Sequence, residues 1–219
     1  ALGSKINGKV VGSFGDINVT SIRSEKMIGV GEGAIISTNY KKIFEKFTLL
    51  ASRSAPFRTS KDPYWKKYFV SGEGYNYLMP HLLGSVARGQ IERFKKDLIK
   101  KKIKVGKIYI NELKKNNLNY GQQISNKSKP VYWLNSVIFP KLTINEIRNI
   151  GEKLKKIGIE VRSGFWPLNL LRSFKSHYIT KNNVSQNVFN KILILPSSFD
   201  LTEKDIKLII KKICKLQNK

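Results

Sequence analysis

Lys26 lies in the stretch TSIRSEKMIGVGEGA, residues 20–34, among the hydroxyls of Thr20, Ser21 and Ser24 and the glycines Gly29, Gly31 and Gly33. An amine becomes a nucleophile when it loses its proton, which desolvation or nearby positive charge promotes. Hydroxyls and glycine backbone N–H groups are the donors that hold a phosphate dianion. An amine beside such donors has the chemistry to capture a phosphate-bearing aldehyde cofactor. The same residue types also describe an ordinary cation in a solvated turn, and spacing alone does not separate the two readings.

Other residues offer weaker chemistry. Arg162 has the fork to meet a carboxylate or phosphate through two parallel hydrogen bonds. Tyr64-Trp65 and Phe165-Trp166 are suited to stacking on a base or sugar, and equally to anchoring a core or a subunit interface. Glu32 between two glycines and Asp16 after Gly15 read as turn residues. His81 and His177 have no second His or Cys at ligand spacing, so no metal site is expected. The single cysteine, Cys214, excludes a disulfide framework and points to a reducing, cytoplasmic setting.

The elements that must position these groups follow from pattern and composition. The chain has 219 residues, with 41 Lys+Arg against 15 Asp+Glu for a formal charge of +26. The lysines recur as pairs and triplets inside helical patterns, as at Lys95-Lys96, Lys100–Lys102, Lys155-Lys156 and Lys211-Lys212, which reads as solvated helix faces rather than a nucleic-acid arm. No apolar run approaches the roughly 18 residues of a membrane span. The opening ALGS has no initiator methionine and reads as the interior of a fold. Asn7-Gly8 and Gly15-Asp16 punctuate short strands. Residues 34–37 predict a strand, 40–50 an amphipathic helix, and 52–74 a long irregular segment. A helical pattern runs from Pro80 to about Lys115, with Gly106 as its expected bend and a domain boundary inside it. Strands are expected in PVYWLNSVIF, in 158–163 and at ILILP, alternating with a capped helix from Thr143 and another from Glu203, where Thr202 and Asp205 have capping-box spacing.

A resemblance adds to this reading. GSFGDINVTS, a lysine five residues after Ser21, GEGAIIST, GYNYLMP, the QIERF helix, FWPLNL and ILILPSSFDLTEKDI occur in this order. Together they resemble the DegT/DnrJ/EryC1/StrS sugar aminotransferases, fold-type I enzymes dependent on pyridoxal 5'-phosphate. The resemblance covers essentially the whole chain. It implies an α/β fold in which residues 1–100 are the later part of the large three-layer cofactor domain and 101–219 are the small C-terminal α/β domain. By matching position, Lys26 falls where the family's lysine anchors the cofactor covalently and moves protons. Ser21 falls where a serine holds the cofactor phosphate, and Asn76 where an asparagine reaches that phosphate from the partner of a homodimer. GDINV and GYNYLMP resemble members that aminate nucleotide-linked 4-keto-6-deoxy sugars, with glutamate as the expected amino donor.

The chain also departs from the family pattern. Leu78 stands where the family usually has Arg, Asn169 where Trp166-Pro167-Leu168-Asn169 usually ends in His, and Ala34 where a second glycine follows Gly33. Arg162, Trp166 and Asn169 are therefore candidate substrate contacts whose sugar is unspecified. The family's aspartate for the pyridinium nitrogen lies upstream of the residues matching Ala1-Leu2-Gly3. A second reading follows: a non-catalytic basic protein of the same fold that contacts a polyanion. In either case, uncovered apolar sheet predicts poor solubility of the 219-residue chain.

Overall fold

In the computed structural model, residues 2–56, 68–122, 124–174 and 184–217 are described. They fall into two compact units, Leu2–Asp97 and Leu98–Lys219. Tyr64, Trp65 and His177 lie outside the described residues.

In Leu2–Asp97, Asn7-Gly8 closes a hairpin of β1 (Lys5–Ile6) and β2 (Lys9–Val10), with Ile6 opposite Lys9. Both turn residues have positive φ, 50° and 79°, as a tight hairpin turn of this type requires. β3 (Asn18–Ser21) and β4 (Ala34–Ser37) form an antiparallel ribbon in which Ser21 faces Ala34, so residues 22–33 make the connection that carries Lys26. Helix α1 (Lys41–Ala51) follows, and the expected helix after Pro80 begins as α2 (His81–Arg93).

The interruption expected at Gly106 occurs elsewhere. A single π-helical turn, Phe94–Leu98, separates α2 from α3 (Ile99–Lys115), which passes through Gly106 unbroken. Gly106 has a packing role instead. A Cβ placed on it would lie 2.2 Å from Cγ of Tyr132, so the glycine allows the ring to lie directly against the helix.

In Leu98–Lys219, β5 (Asn119–Tyr120), the short β6 (Ser128–Lys129), β7 (Asn135–Ile138), α4 (Ile144–Lys156), β8 (Arg162–Ser163), α5 (Val184–Phe189), β9 (Ile192–Leu195) and α6 (Glu203–Gln217) follow in order. Four strands pair antiparallel in the order β5-β7-β9-β8. Residues 158–163, expected to be a strand, contribute only the two residues of β8. Helices α3, α4 and α6 bury apolar residues at helical spacing, among them Tyr109 and Leu113, Ile150 and Leu154, and Ile206 and Ile213, against the sheet residues Val137, Leu193 and Leu195. Each such Leu or Ile contributes roughly 1.5–3 kcal/mol by leaving water.

Both predicted caps form. Thr143 Oγ1 accepts from the N–H of Glu146 at 3.3 Å while Glu146 returns a bond to the N–H of Thr143 at 2.7 Å. Thr202 and Asp205 make the same reciprocal pair at 3.2 and 2.9 Å. These bonds hold both carboxyls below their usual range, with Thr143 the cause at Glu146 and Thr202 at Asp205.

Candidate active site

The turn bearing Lys26 is a braced loop. Ile22, Met27 and Ile28, 1%, 5% and 2% exposed, anchor it on both sides of a half-buried Lys26. Backbone bonds close it: Ile22 N–H to Gly33 O at 3.0 Å, Ser24 N–H to Gly31 O at 2.9 Å, Lys26 N–H to Arg23 O at 2.9 Å and Val30 N–H to Ile22 O at 3.0 Å. Gly29 is required by this closure, since a Cβ there would sit 2.4 Å from the carbonyl oxygen of Ser24. Arg23 pairs with the exposed Glu32 at 3.1 Å, which gives Glu32 its turn role.

One residue secures the loop from a distance. The Gln90 carboxamide donates to the carbonyl of Gly29 at 2.6 Å and accepts from its N–H at 2.9 Å, engaging both backbone groups of one residue. No role was assigned to Gln90 from the sequence, although a signal was present. Gln90 interrupts the inward stripe of Leu83, Ala87 and Phe94, and a polar residue on an apolar helix face needs a polar partner.

The hydroxyls near Lys26 divide by function. Ser24 Oγ is committed, donating to Gly31 O at 3.1 Å. Ser21, exposed at the end of β3, only accepts a long bond from Arg23 N–H at 3.5 Å, which leaves its own O–H to donate to an anion. The donor set fits a phosphate-bearing aldehyde: an amine on a fixed loop, with an available hydroxyl five residues before it. Asn76 is exposed in an extended segment whose backbone bridges Ser52. Its neighbours Tyr75 and Tyr77 stack with ring centres 5.1 Å apart and nearly parallel planes. Gly74 is what brings this segment in, because a Cβ there would lie 2.3 Å from the Ser54 nitrogen.

The other three candidates belong to Leu98–Lys219. Arg162 and Trp166 line one cleft of about 290 Å³ beside α4, with Arg162 also paired to Glu160 at 3.2 Å. Asn169, in a short 3₁₀ turn at Leu168–Leu170, does not line that cleft. Leu78, at the family's Arg position, is exposed.

The lysine triplet expected to be solvated contains an exception. Lys102 is 4% exposed, and its Nζ donates to the carbonyl of Ser197 while lying 5.4 Å from the Phe199 ring centre. Burial pushes the Lys102 ammonium down to about 8. The same end of β9 is held by Tyr109, whose O–H donates to Pro196 O at 2.8 Å, and by the fully buried Asn135, whose backbone N–H donates to Ser197 Oγ at 2.9 Å. Burial raises the Tyr109 phenol well above its usual range, with the Asp205 charge adding to the effect.

Residues 1–214 match the DegT/DnrJ/EryC1/StrS aminotransferase family. The GDP-perosamine synthase of Escherichia coli O157:H7 is 29% identical over 216 residues, which are 97% of this chain and 55% of that protein. The GDP-perosamine synthase of Vibrio cholerae is 29% identical over 94% of this chain and 54% of its own length. The chain thus spans about half the length of the curated relatives it matches. Among solved structures, Spr1654 of Streptococcus pneumoniae, known in PLP and PMP forms, superposes with a TM-score of 0.85 at 18% identity, covering all of this chain and 56% of that one. At that identity the match establishes the fold.

Proposed function

This chain belongs to the DegT/DnrJ/EryC1/StrS aminotransferase family, and on that premise we propose that it serves in moving an amino group onto the keto carbon of a nucleotide-linked sugar. The carrying observation is Lys26 on a loop braced by apolar anchors and by Gln90, within hydroxyl-bearing sequence in the family order. The names of the GDP-perosamine synthases support a nucleotide-linked sugar, and we take a 4-keto-6-deoxy sugar as the proposed acceptor and glutamate as the proposed donor. Pyridoxal phosphate, when bound, supplies the aldehyde that carries the amino group and the ring that delocalises the electron pair.

The chain's own residues do the rest. Lys26 Nζ would hold the cofactor covalently and, when not so engaged, would be the base that moves a proton between the cofactor and substrate carbons. Ser21 Oγ donates to the phosphate, and Asn76 adds a neutral amide donor across a homodimer. Arg162, Trp166 and Asn169 are the proposed substrate contacts.

The test is site-selective labelling. Incubation with pyridoxal phosphate, borohydride reduction and peptide mass spectrometry should place the label predominantly on Lys26, with a visible absorption band that Lys26→Ala abolishes. Asn76→Ala should weaken uptake by about 10-fold, as loss of one bond to a charged group implies. Label spread evenly over the surface lysines, with the band unchanged in Lys26→Ala, would remove the basis for the proposal.

A further inference from the structure

The cleft beside α4 has a composition that the amino-transfer chemistry at Lys26 does not call for. Its floor is apolar, formed by Ile147, Val161 and Leu193. Trp166 and Phe189 stand at one side with ring centres 5.1 Å apart and planes inclined by 45°, and Trp166 is 62% exposed, so much of its ring is open. Gly164 makes this pairing possible: a Cβ there would lie 2.5 Å from the carbonyl oxygen of Phe189, so only glycine lets the two segments approach this closely.

The rim is basic. Arg148 and Lys155 line the cleft from α4, seven residues and about 10 Å apart along one helix face. Neither makes an ion pair among the described residues, whereas Arg162 already holds Glu160. With Glu152 the carboxylate among the lining residues, positive charge is in excess. The helix opens toward the cleft at Gly151, where a Cβ would meet Val161 and Leu193 at 3.5 and 3.8 Å, which is ordinary contact. An apolar floor, an exposed indole and unpaired cations at the edge together match a flat ring carrying an anionic group.

We propose that this cleft binds a planar aromatic ring bearing a carboxylate or phosphate, the ring lying against Trp166 and the anion facing Arg148 and Lys155. At about 290 Å³ the space is at the small end of ligand pockets, about 300–1,000 Å³, which suits a bicyclic ring with its anion and not an entire nucleotide-sugar. Such a ring could come from a purine nucleotide or from a free aromatic acid. The cleft shares Arg162 and Trp166 with the proposed substrate contacts, so a nucleotide ring here would deepen that reading, while binding itself is independent of cofactor capture at Lys26.

The test is titration of the 219-residue chain with guanosine monophosphate and, separately, 2-naphthoate, followed by Trp fluorescence and calorimetry. At least one probe should bind saturably, and which one it is identifies the source of the ring. Gly151→Leu, which fills the cleft, and Arg148→Gln, an exposed change that leaves packing alone, should each weaken binding at least fivefold without lowering the melting temperature appreciably. The uncharged 2-naphthamide should bind less tightly than 2-naphthoate. Saturable binding of neither probe, or binding that both variants leave unchanged, would overturn the proposal. So would dimerisation that Gly151→Leu abolishes with no response to either probe, which would assign the cleft to a side chain of a second copy.

Discussion

Lys26 and Lys102 show how surroundings set the role of one residue type. Lys26 is half-buried on a braced loop, five residues after an available hydroxyl, while Lys102 is enclosed, bonded to Ser197 O, and set against Phe199. The Lys102 shift has a consequence of definite sign. Its folded value of about 8 lies below the 10.5 of an unperturbed lysine, so burying its charge costs stability in full below pH 8. That cost fades as pH rises from 8 to 10.5, where the unfolded chain still binds the proton and the folded chain has lost it. Lys102→Met removes the titrating group. Its stability relative to wild type, read by urea unfolding, should be more favourable at pH 7 than at pH 10.5 by on the order of 1–3 kcal/mol. A difference that does not change with pH would show that the ammonium is not desolvated. Gln90 teaches the complementary lesson, since a neutral amide can hold both backbone groups of Gly29 without adding charge to the loop that carries Lys26.

At the scale of elements, local rules were legible and close approaches were not. The capping boxes at Thr143 and Thr202 and the apolar spacing of α3, α4 and α6 follow from contacts three or four residues apart, which a one-dimensional reading captures. Gly106 was misread for the same reason. Helix propensity makes an interior glycine a weak point, yet the partner that explains it, Tyr132, is distant in sequence. Gly106→Ala should therefore destabilise Leu98–Lys219 by about 1–3 kcal/mol despite alanine's better propensity. Thermal unfolding checks this directly, and a stabilised variant would mean that the Tyr132 ring moves aside freely. The π-helical turn at Phe94–Leu98 had no signature in the apolar periodicity, and the structure offers no physical account of why it falls there.

At the scale of the whole molecule, the exposed apolar residues of Leu2–Asp97 stand out. Phe14, Val19, Phe44, Tyr77 and Leu82 are among those open to solvent, and the ribbon of β3 and β4 exposes both Val19 and Ile35. Such surface favours association even in a chain of charge +26, particularly once salt screens the repulsion. Sedimentation velocity should show self-association that grows with concentration and ionic strength, and a monodisperse monomer throughout would contradict this. The α/β class, the capped helices and the family order of GDINV, GEGA, GYNY and FWPLNL were determined by the sequence alone, because each is carried by neighbours along the chain or by motifs in fixed order. The bracing of the Lys26 loop at Gly29 by a glutamine 61 residues further on, the enclosure of Lys102 by a loop 95 residues away, and the cleft that joins Arg148 to Trp166 were decided only by the tertiary structure. Burial and hydrogen-bond partnership depend on which distant segments meet, and no local spacing rule encodes that meeting.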